Sequence, residues 1–313
     1  MRLHFIKCHG SGNDFPLIDA RALDLDDATW AGIARALADR RGPVGGDGLL
    51  LLTAGDKVHP FGMRMFNSDG SEAETCLNGL RCVARLGFEA FGIERACVRL
   101  KTSSAEAARD AEIAPGVASI RETAGPAELD VTHWPLRIDA HENVQQPIAM
   151  LGERRFTAVA MPNPHLVSFV ETIDEAELVA IGEICEAGPE WLPNRANVSF
   201  VEVRPGGLFV RTFERGVGLT DSCGSAMAAS TFAACLTGRA EFGAELTVFN
   251  RGGLVRGQAE SDGMVRLSGN ATFEWEGSIE VDPPRGLAGD LVVDRHFDAE
   301  IAAWAAVAEA VPA

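Results

Sequence analysis

The chain has 313 residues, 46% of them hydrophobic, and a formal net charge of −17 at pH 7. This length is sufficient for a sizeable core and for two domains of ordinary size. The acidic charge argues against nucleic acid as a partner, because a DNA-binding protein needs a basic face to displace counterions from phosphate. No run of about 18 apolar residues is present to cross a membrane, and the N-terminus lacks the apolar stretch of a secretory signal, so we expect a cytoplasmic protein without a membrane partner.

The first half of the chain alternates strand patterns with two helix patterns. One helix is predicted at residues 26–40, capped by Asp26 or Asp27, and another from residue 78 to about residue 91. Between them, the sequence NSDG at residues 67–70 predicts a turn. The predicted strands of this half are residues 2–6, 16–23, 48–53 and 61–66.

The second half repeats this order of elements. Asp174 can cap a predicted helix at residues 173–185, and a second predicted helix, residues 223–236, begins at Cys223. The predicted strands of this half are residues 156–161, 165–171, 197–204, 208–213, 245–250, 254–259, 264–269 and 277–281.

The two halves therefore indicate an internal duplication. Asn13 and Asn163 lie 150 positions apart, and Cys76 and Cys223 lie 147 positions apart. A repeat of this length indicates two similar domains rather than a solenoid. We expect an α/β (α+β) fold with an N-terminal half, a C-terminal half and a helical C-terminal extension, at residues 1–128, 129–282 and 283–313. The last strand of the second half could return to the first half.

The cysteines argue against a metal site. There are seven of them, an odd number with irregular spacing and no CxxC motif, so neither a disulfide framework nor a structural zinc site is expected. Most should be small buried apolar side chains in a reducing compartment. Cys82 and Cys235 lie within apolar helical patterns and are assigned to the core.

Two cysteines differ from the others, because Cys76 and Cys223 each lie at the start of a predicted helix. The free backbone N–H groups of a helix N-terminus carry partial positive charge and stabilise a thiolate. Small or polar residues after each cysteine would let an anion such as a carboxylate approach the backbone. These residues are Asn78 and Gly79 in the first half, and Gly224 and Ser225 in the second.

Two thiols on opposite sides of one carbon suit a two-base epimerisation. The thiolate removes a proton from the carbon, and the thiol delivers a proton to the opposite face. A state with one thiolate and one thiol is favoured, since like charges close together resist ionising together. The carbanion would be stabilised by fixed N–H dipoles in a cleft between the domains. No lysine site for pyridoxal phosphate is evident, and no cofactor is expected.

Six motifs occur in order along the chain: KCHGSGNDF, RRGPVGGDG, MRMFNSDGSEAETCLNGLRC, MPNPH, NRANVSF and FERGVGLTDSCGS. Together they make the chain similar to the diaminopimelate epimerase family from about residue 3 to about residue 282, although any one alone would be a weak signal. The resemblance implies a cofactor-independent isomerase that interconverts LL- and meso-2,6-diaminopimelate, a small-molecule substrate on the route to lysine and peptidoglycan. It also implies a homodimer, and two pseudo-symmetric domains, each a barrel-like mixed sheet around a central helix.

The resemblance further implies roles for individual residues. Cys76 and Cys223 would be the catalytic acid–base pair. Glu214 would meet the distal ammonium group of the substrate and Arg215 its distal carboxylate, which arginine can grip with two hydrogen bonds. The remaining substrate-binding residues implied are Asn13, Asn67, Asn78, Gly79, Asn163, His165, Asn197, Gly224 and Ser225. Asparagine suits a substrate with an amino-acid group at each end, because its amide both donates and accepts.

Three positions depart from the family pattern. Leu77 and Pro162 occupy positions where the family usually has glycine, and Leu219 replaces a glutamate. Glycine tolerates backbone conformations that strain other residues, so we expect strain at Leu77. These departures leave the two cysteines intact and bear on which substrate is used.

Three alternative functions remain open. The first is a racemase or epimerase of the same fold that acts on another amino acid. The second is a cysteine hydrolase with His165 as its base, and the third is an inactive homologue that only binds a ligand. Structural roles also remain open for Asn67 in its turn, for His165 in the core, and for Glu214 with Arg215 as a surface ion pair.

Overall fold

A computed structural model describes residues 1–311. The chain forms two compact units, which we call the first and the second unit. The first unit contains Met1–Glu122 and Ser268–Ala310, and the second contains Thr123–Leu267. Within the described residues, every helix is too short or too polar to cross a membrane.

The elements follow in chain order. The strands up to residue 124 are β1 Arg2–Gly10, β2 Asn13–Asp19, β3 Gly48–Ala54, β4 Phe61–Asn67, β5 Glu72–Ala73, β6 Arg95–Arg99, β7 Ser104–Arg109 and β8 Ser119–Ala124. The next strands are β9 Gln146–Pro147, β10 Arg155–Ala160, β11 Pro164–Val170, β12 Asn197–Arg204, β13 Gly207–Glu214, β14 Gly218–Thr220, β15 Glu245–Asn250, β16 Gly253–Ala259 and β17 Val265–Asn270. The last strands are β18 Thr272–Asp282 and β19 Leu287–His296. The α-helices are α1 Asp27–Ala38, α2 Leu77–Phe91, α3 Glu175–Glu186, α4 Gly224–Leu236 and α5 Asp298–Glu309, with 3₁₀ turns at Ala149–Leu151 and Pro283–Arg285.

The first unit is a mixed sheet built from three hairpins. The antiparallel pairs β1–β2, β3–β4 and β6–β7 are joined by parallel pairings, β2 with β3 and β4 with β6. Parallel neighbours need a crossover connection, which α1 and α2 provide. On its other side β1 pairs antiparallel with β18, which pairs with β19.

The second unit repeats this plan. Its antiparallel pairs β10–β11, β12–β13 and β15–β16 are joined by parallel pairings of β11 with β12 and of β13 with β15. The crossovers are α3 and α4. The fold class expected from the sequence, mixed sheets and helices in two similar domains, is confirmed.

Local sequence explains the predicted helices. Asp26 caps α1 by accepting from Thr29 N at 2.8 Å, and Asp174 caps α3 by accepting from the first-turn amides. Trp30, Ile33 and Leu37 recur at helical spacing on one face of α1, and all three are buried. Helices α2 and α4 are buried around most of their circumference. Gly87 of α2 lies so close to Phe61 that a Cβ there would meet the ring at 2.5 Å.

Some elements differ from expectation. The extension at 283–313 contains the strand β19 as well as the predicted helix, because β19 completes a hairpin with β18. The strand β18 pairs with β1 and belongs to the first unit. The chain passes from the first unit to the second between residues 122 and 123 and returns between residues 267 and 268. The domain limits proposed from the sequence remain a prediction. The strands β5–β8 and β14 were missed because they are short and rich in alanine, glycine or charged residues.

Candidate active site

Cys76 caps the N-terminus of α2. Its backbone is extended, with φ −150°, and its Sγ accepts from Gly79 N at 3.4 Å. A Cβ on Gly79 would lie 2.6 Å from Leu50 Cδ2 and 3.3 Å from Sγ, so a larger residue there would require Leu50 to shift. The helix therefore presents a backbone donor to the sulfur, which favours the thiolate.

Leu77 carries no backbone strain, contrary to our expectation. It is the first residue of α2 and 7% exposed. Among the described non-glycine residues, positive φ occurs at Ser11, Gln145, Arg195 and Asp290. A helical φ is accessible to any residue, so leucine replaces glycine at this position without conformational cost.

Asparagine side chains surround Cys76. Asn13, at the start of β2, places Oδ1 3.8 Å from Cys76 Sγ, which is within reach of the thiol hydrogen. Asn78 Nδ2 donates to the same Oδ1 at 3.5 Å. The structure thus brings together four of the residues predicted from the sequence, Asn13, Cys76, Asn78 and Gly79.

Arg81 was not predicted as a site residue, and it holds the Asn78 amide of this group by a hydrogen bond. Its guanidinium donates to Asn78 Oδ1 at 2.8 Å and to Ser11 Oγ at 3.1 Å. Its counterion is Glu122, at 2.8 Å, and neither side chain is exposed. Burial raises the pKa of Glu122 to about 7, although the positive charge of Arg81 opposes that shift. The motif NGLRC contains the arginine, but its partner lies 41 positions away and has no local signal.

Asn67 uses its amide within its own turn. Asn67 Nδ2 donates to Ser71 Oγ at 2.9 Å, and Gly70 N donates to the carbonyl of Asn67 at 2.9 Å. Asn67 thus performs turn chemistry, and its substrate-binding role stays a prediction.

Cys223 occupies the matching position in the second unit, at the N-cap of α4. Its backbone is also extended, with φ −130°, and its side chain is 7% exposed. Cys223 Sγ lies 3.5 Å from Ser225 Oγ, and Gly224 is the first residue of the helix. Both cysteines predicted at helix starts are therefore N-cap residues.

His165 joins two of the predicted asparagines. It is fully buried on β11, and its Nε2 lies 3.1 Å from Asn163 Oδ1 and 3.4 Å from Asn197 Nδ2. The parallel register sets His165 directly beside Asn197 on β12. Burial, and then the charge of Arg215, lower the pKa of His165 to about 3. The ring is therefore neutral at physiological pH and orients amides.

Arg215 follows the end of β13, where Glu214 is the last residue. Its backbone N donates to Asn197 Oδ1 at 2.8 Å, and its Nη1 donates to Asn194 O at 3.0 Å. Leu219, in β14 opposite Phe213, is 37% exposed. The hydrogen bond to Asn197 connects this turn to the His165 cluster.

The described residues contain no group of three or more His, Cys, Asp or Glu side chains arranged to hold a metal ion. Each unit presents a cysteine at a helix N-terminus. Cys76 has the Asn13 amide beside it, and Cys223 has the Ser225 hydroxyl. A thiol in this setting can exchange a proton with a bound carbon acid.

Comparison with known proteins identifies relatives. The family model described as diaminopimelate epimerase matches residues 5–107 and 157–274. A diaminopimelate epimerase of Clostridium acetobutylicum is 38% identical over 290 residues, which are 90% of this chain and 87% of that protein. One from Listeria innocua is 34% identical over 302 residues, covering 92% of this chain and 91% of that protein. Among solved structures, a predicted epimerase from Pseudomonas aeruginosa has a TM-score of 0.66 at 18% identity, with 88% of this chain and 98% of that chain covered, which supports the fold alone.

Proposed function

This chain belongs to the diaminopimelate epimerase family, and we propose from that premise that Cys76 and Cys223 interconvert LL- and meso-2,6-diaminopimelate by two-base proton transfer. The enzyme is an isomerase, and its product is a precursor for lysine and peptidoglycan.

The observation that supports the cysteine assignment is their equivalent placement. Each cysteine is the N-cap of the helix that follows the second hairpin of its unit. A helix N-terminus lowers the cost of ionising a thiol, and its free N–H groups can also hold a carboxylate. A duplicated thiol site suits a reaction in which the same carbon is deprotonated on one face and protonated on the other.

The proton transfers balance without a further reactant. In one direction the Cys76 thiolate takes the α-proton, and the electron pair of the broken C–H bond remains on the substrate as a carbanion. The Cys223 thiol then gives its proton to the opposite face of that carbon and becomes the thiolate. The reverse direction exchanges the two roles. The proposal requires both sulfurs to reach one carbon, and the free backbone N–H groups at the two helix starts would stabilise the charge that develops on the carboxylate.

The substrate's ends would be held by the polar residues predicted from the sequence. Arg215 suits the distal carboxylate and Glu214 the distal ammonium. His165 remains neutral, and its Nε2 faces Asn163 and Asn197, so we assign it to orienting those amides. This placement does not favour the cysteine hydrolase, because a base with a pKa of about 3 activates a thiol poorly.

We also propose that the enzyme acts in the cytoplasm as a homodimer. The family resemblance supports the homodimer. All seven cysteines are free thiols in the structure, and a reducing compartment would keep Cys76 and Cys223 in the reduced form that the mechanism needs.

Hydrogen exchange tests the proposed function. The purified protein, kept with a reductant, is incubated in deuterated water with LL-diaminopimelate, and in parallel with proline and glutamate. We expect meso-diaminopimelate carrying deuterium at the inverted carbon and no inversion of the other amino acids. Inversion of another amino acid without diaminopimelate would replace this proposal with the racemase alternative, and no turnover of any of them would favour a binding protein.

A further inference from the structure

The carboxylate of Asp47 accepts three hydrogen bonds beside the Cys76 site. Asp47 precedes β3 in the motif RRGPVGGDG. Its Oδ2 accepts from Asn13 Nδ2 and from the backbone N of Asp14, the latter at 3.1 Å. Its Oδ1 accepts from Arg40 Nη2 at 2.6 Å. Both oxygens are therefore engaged.

These bonds decide which way the Asn13 amide points. A carboxylate only accepts hydrogen bonds, so the NH₂ end of the amide must face Asp47. The oxygen end then faces Cys76 Sγ, at 3.8 Å, and Asn78 Nδ2, at 3.5 Å. The Asn78 amide adds to this preference, because its oxygen accepts from Arg81 and its NH₂ group therefore faces the Asn13 oxygen.

Resting on the proposed function, we propose that Asp47 is a positioning residue that holds the Asn13 amide with its oxygen towards the Cys76 thiol. The oxygen accepts from S–H and stabilises the thiol, whereas Gly79 N–H donates to the sulfur and stabilises the thiolate. A base that becomes an acid when the reaction reverses needs both forms accessible. The opposed hydrogen bonds supply that balance.

Other charged side chains lie near the contact between Asp47 and Asn13. Asp14 bonds both Lys7 and Arg40, and these cations hold the pKa of the Asp14 carboxyl below its usual value against the burial that raises it. Arg81 approaches from α2 through Asn78. Asp47→Asn would therefore remove a negative charge as well as the orienting carboxylate, and the experiment must separate the two effects.

Asp47→Asn changes the hydrogen-bond pattern in a defined way. The new amide keeps a single accepting oxygen for the three donors that Asp47 satisfies, Asn13 Nδ2, Asp14 N and Arg40 Nη2. Where its NH₂ group faces Asn13, the two NH₂ groups cannot bond each other, so the hold on the Asn13 amide is weakened. In the turned orientation the Asn13 NH₂ group faces the Cys76 sulfur and favours the thiolate.

The readout is the rate of Cys76 alkylation by iodoacetamide as a function of pH. Tryptic cleavage yields the peptide of residues 65–81, in which Cys76 is the sole cysteine, so mass spectrometry follows this thiol alone. We expect Asp47→Asn to move the midpoint of the rate curve to lower pH by about 0.5–1 unit, the size of one exchanged hydrogen bond. Asp47→Glu, which restores a carboxylate, should return the midpoint towards that of the wild type.

A double-mutant cycle with Asn13→Ala separates orientation from charge. If Asp47 acts through the amide, Asp47→Asn produces no further shift when Asn13 is absent. An equal shift in both backgrounds would mean a through-space effect of charge, and an unchanged midpoint would mean that Asp47 only supports the fold; either result overturns the proposal.

Controls keep the result interpretable. Asp39→Asn makes the same chemical change at a carboxylate of the same segment that bonds Arg41, and it should leave both the midpoint and turnover unchanged. Thermal unfolding verifies that each variant is folded, and Asp47→Ala repeats the cycle if the asparagine variant does not fold. Alkylation needs no diaminopimelate, so failure of wild-type turnover would refute the proposed function while the cycle still decides the role of Asp47.

Discussion

Arg81 and Glu122 form an ion pair at 2.8 Å in which both side chains are completely buried. Glu122 Oε2 has no hydrogen-bond partner among the described residues, so Arg81 compensates only part of the carboxylate's lost hydration. Burial consequently raises the pKa of Glu122 to about 7. Arg81 of this pair holds the Asn78 amide by a hydrogen bond. The protonation state of Glu122 should be measurable through the free energy of unfolding.

The first prediction concerns that pH dependence. The folded state holds a proton on Glu122 up to about pH 7, whereas the unfolded chain releases it near the ordinary value of 4.5. Between these values the folded state binds more protons, so stability falls as pH rises. We expect the free energy of unfolding of the wild type to fall relative to Glu122→Gln by about 2–3 kcal/mol between pH 4.5 and 8.

Urea unfolding at several pH values, followed by circular dichroism, measures this difference. Glu106→Gln is the control, because Glu106 is exposed on β7 and its replacement should give a curve parallel to the wild type. A wild-type curve that stays parallel to Glu122→Gln across this range would show that the carboxyl titrates normally.

The second prediction concerns the two cysteines. We expect Cys76→Ala and Cys223→Ala each to reduce epimerase turnover by about 10²–10⁴-fold or more, since each removes one of the two proton-transfer groups. Cys97→Ala is the matched control: Cys97 lies on β6, is partly exposed, and should be dispensable. Turnover is followed by deuterium incorporation with a reductant present, because oxidised thiols would be inactive. Full activity in either single variant would refute the two-base mechanism.

The third prediction concerns the space beside the Cys76 sulfur. A Cβ at position 79 would lie 2.6 Å from Leu50 Cδ2, so Gly79→Ala must displace Leu50, Cys76 or both. Overpacking of this kind costs about 1–3 kcal/mol, and turnover should fall because the sulfur moves from the Gly79 N–H. Chemical denaturation and turnover are measured together.

Gly289→Ala is the control for that substitution. A Cβ there meets nothing within 4 Å, and the residue's φ is outside the left-handed region. The expected change in unfolding free energy is within about 0.5 kcal/mol, with turnover unchanged. Equal effects of the two substitutions would mean that the close contact at Gly79 relaxes freely.

Local patterns in the sequence predicted several features of the fold and site. Caps such as Asp26 and Asp174 act on amides two or three residues away, so their signal is contained in a short window. The placement of Cys76 and Cys223 at helix starts was predictable for the same reason, since small residues and apolar helical runs follow each cysteine.

Contacts between distant segments could not be predicted in this way. Asn163, His165 and Asn197 were each identified, but their contact depends on the parallel register of β11 and β12. The hydrogen bond from Asn13 to Asp47 similarly depends on the parallel pairing of β2 with β3, which Asp47 directly precedes. The strand β19 has a mostly exposed sequence, and only its pairing with β18 reveals it.

The last prediction concerns the C-terminal helix α5, which packs against β18 within the first unit. Trp304 is 6% exposed, the one buried residue of the described helix, and its ring lies 5.8 Å from the ring of His9. His9 Nδ1 is 3.3 Å from Gly12 N, in the turn that leads to Asn13. Loss of the indole should therefore loosen the segment that carries this asparagine.

We expect Trp304→Ala to lower the free energy of unfolding by about 3 kcal/mol, as for other large-to-small changes at buried aromatic residues, and to reduce turnover. Ile301→Ala on the same helix is the matched control, because Ile301 is 36% exposed and should cost much less. Denaturant unfolding and turnover at a temperature where both variants are folded provide the comparison. If Trp304→Ala destabilises the protein but leaves turnover at the wild-type level, α5 supports the fold without influencing the Asn13 segment.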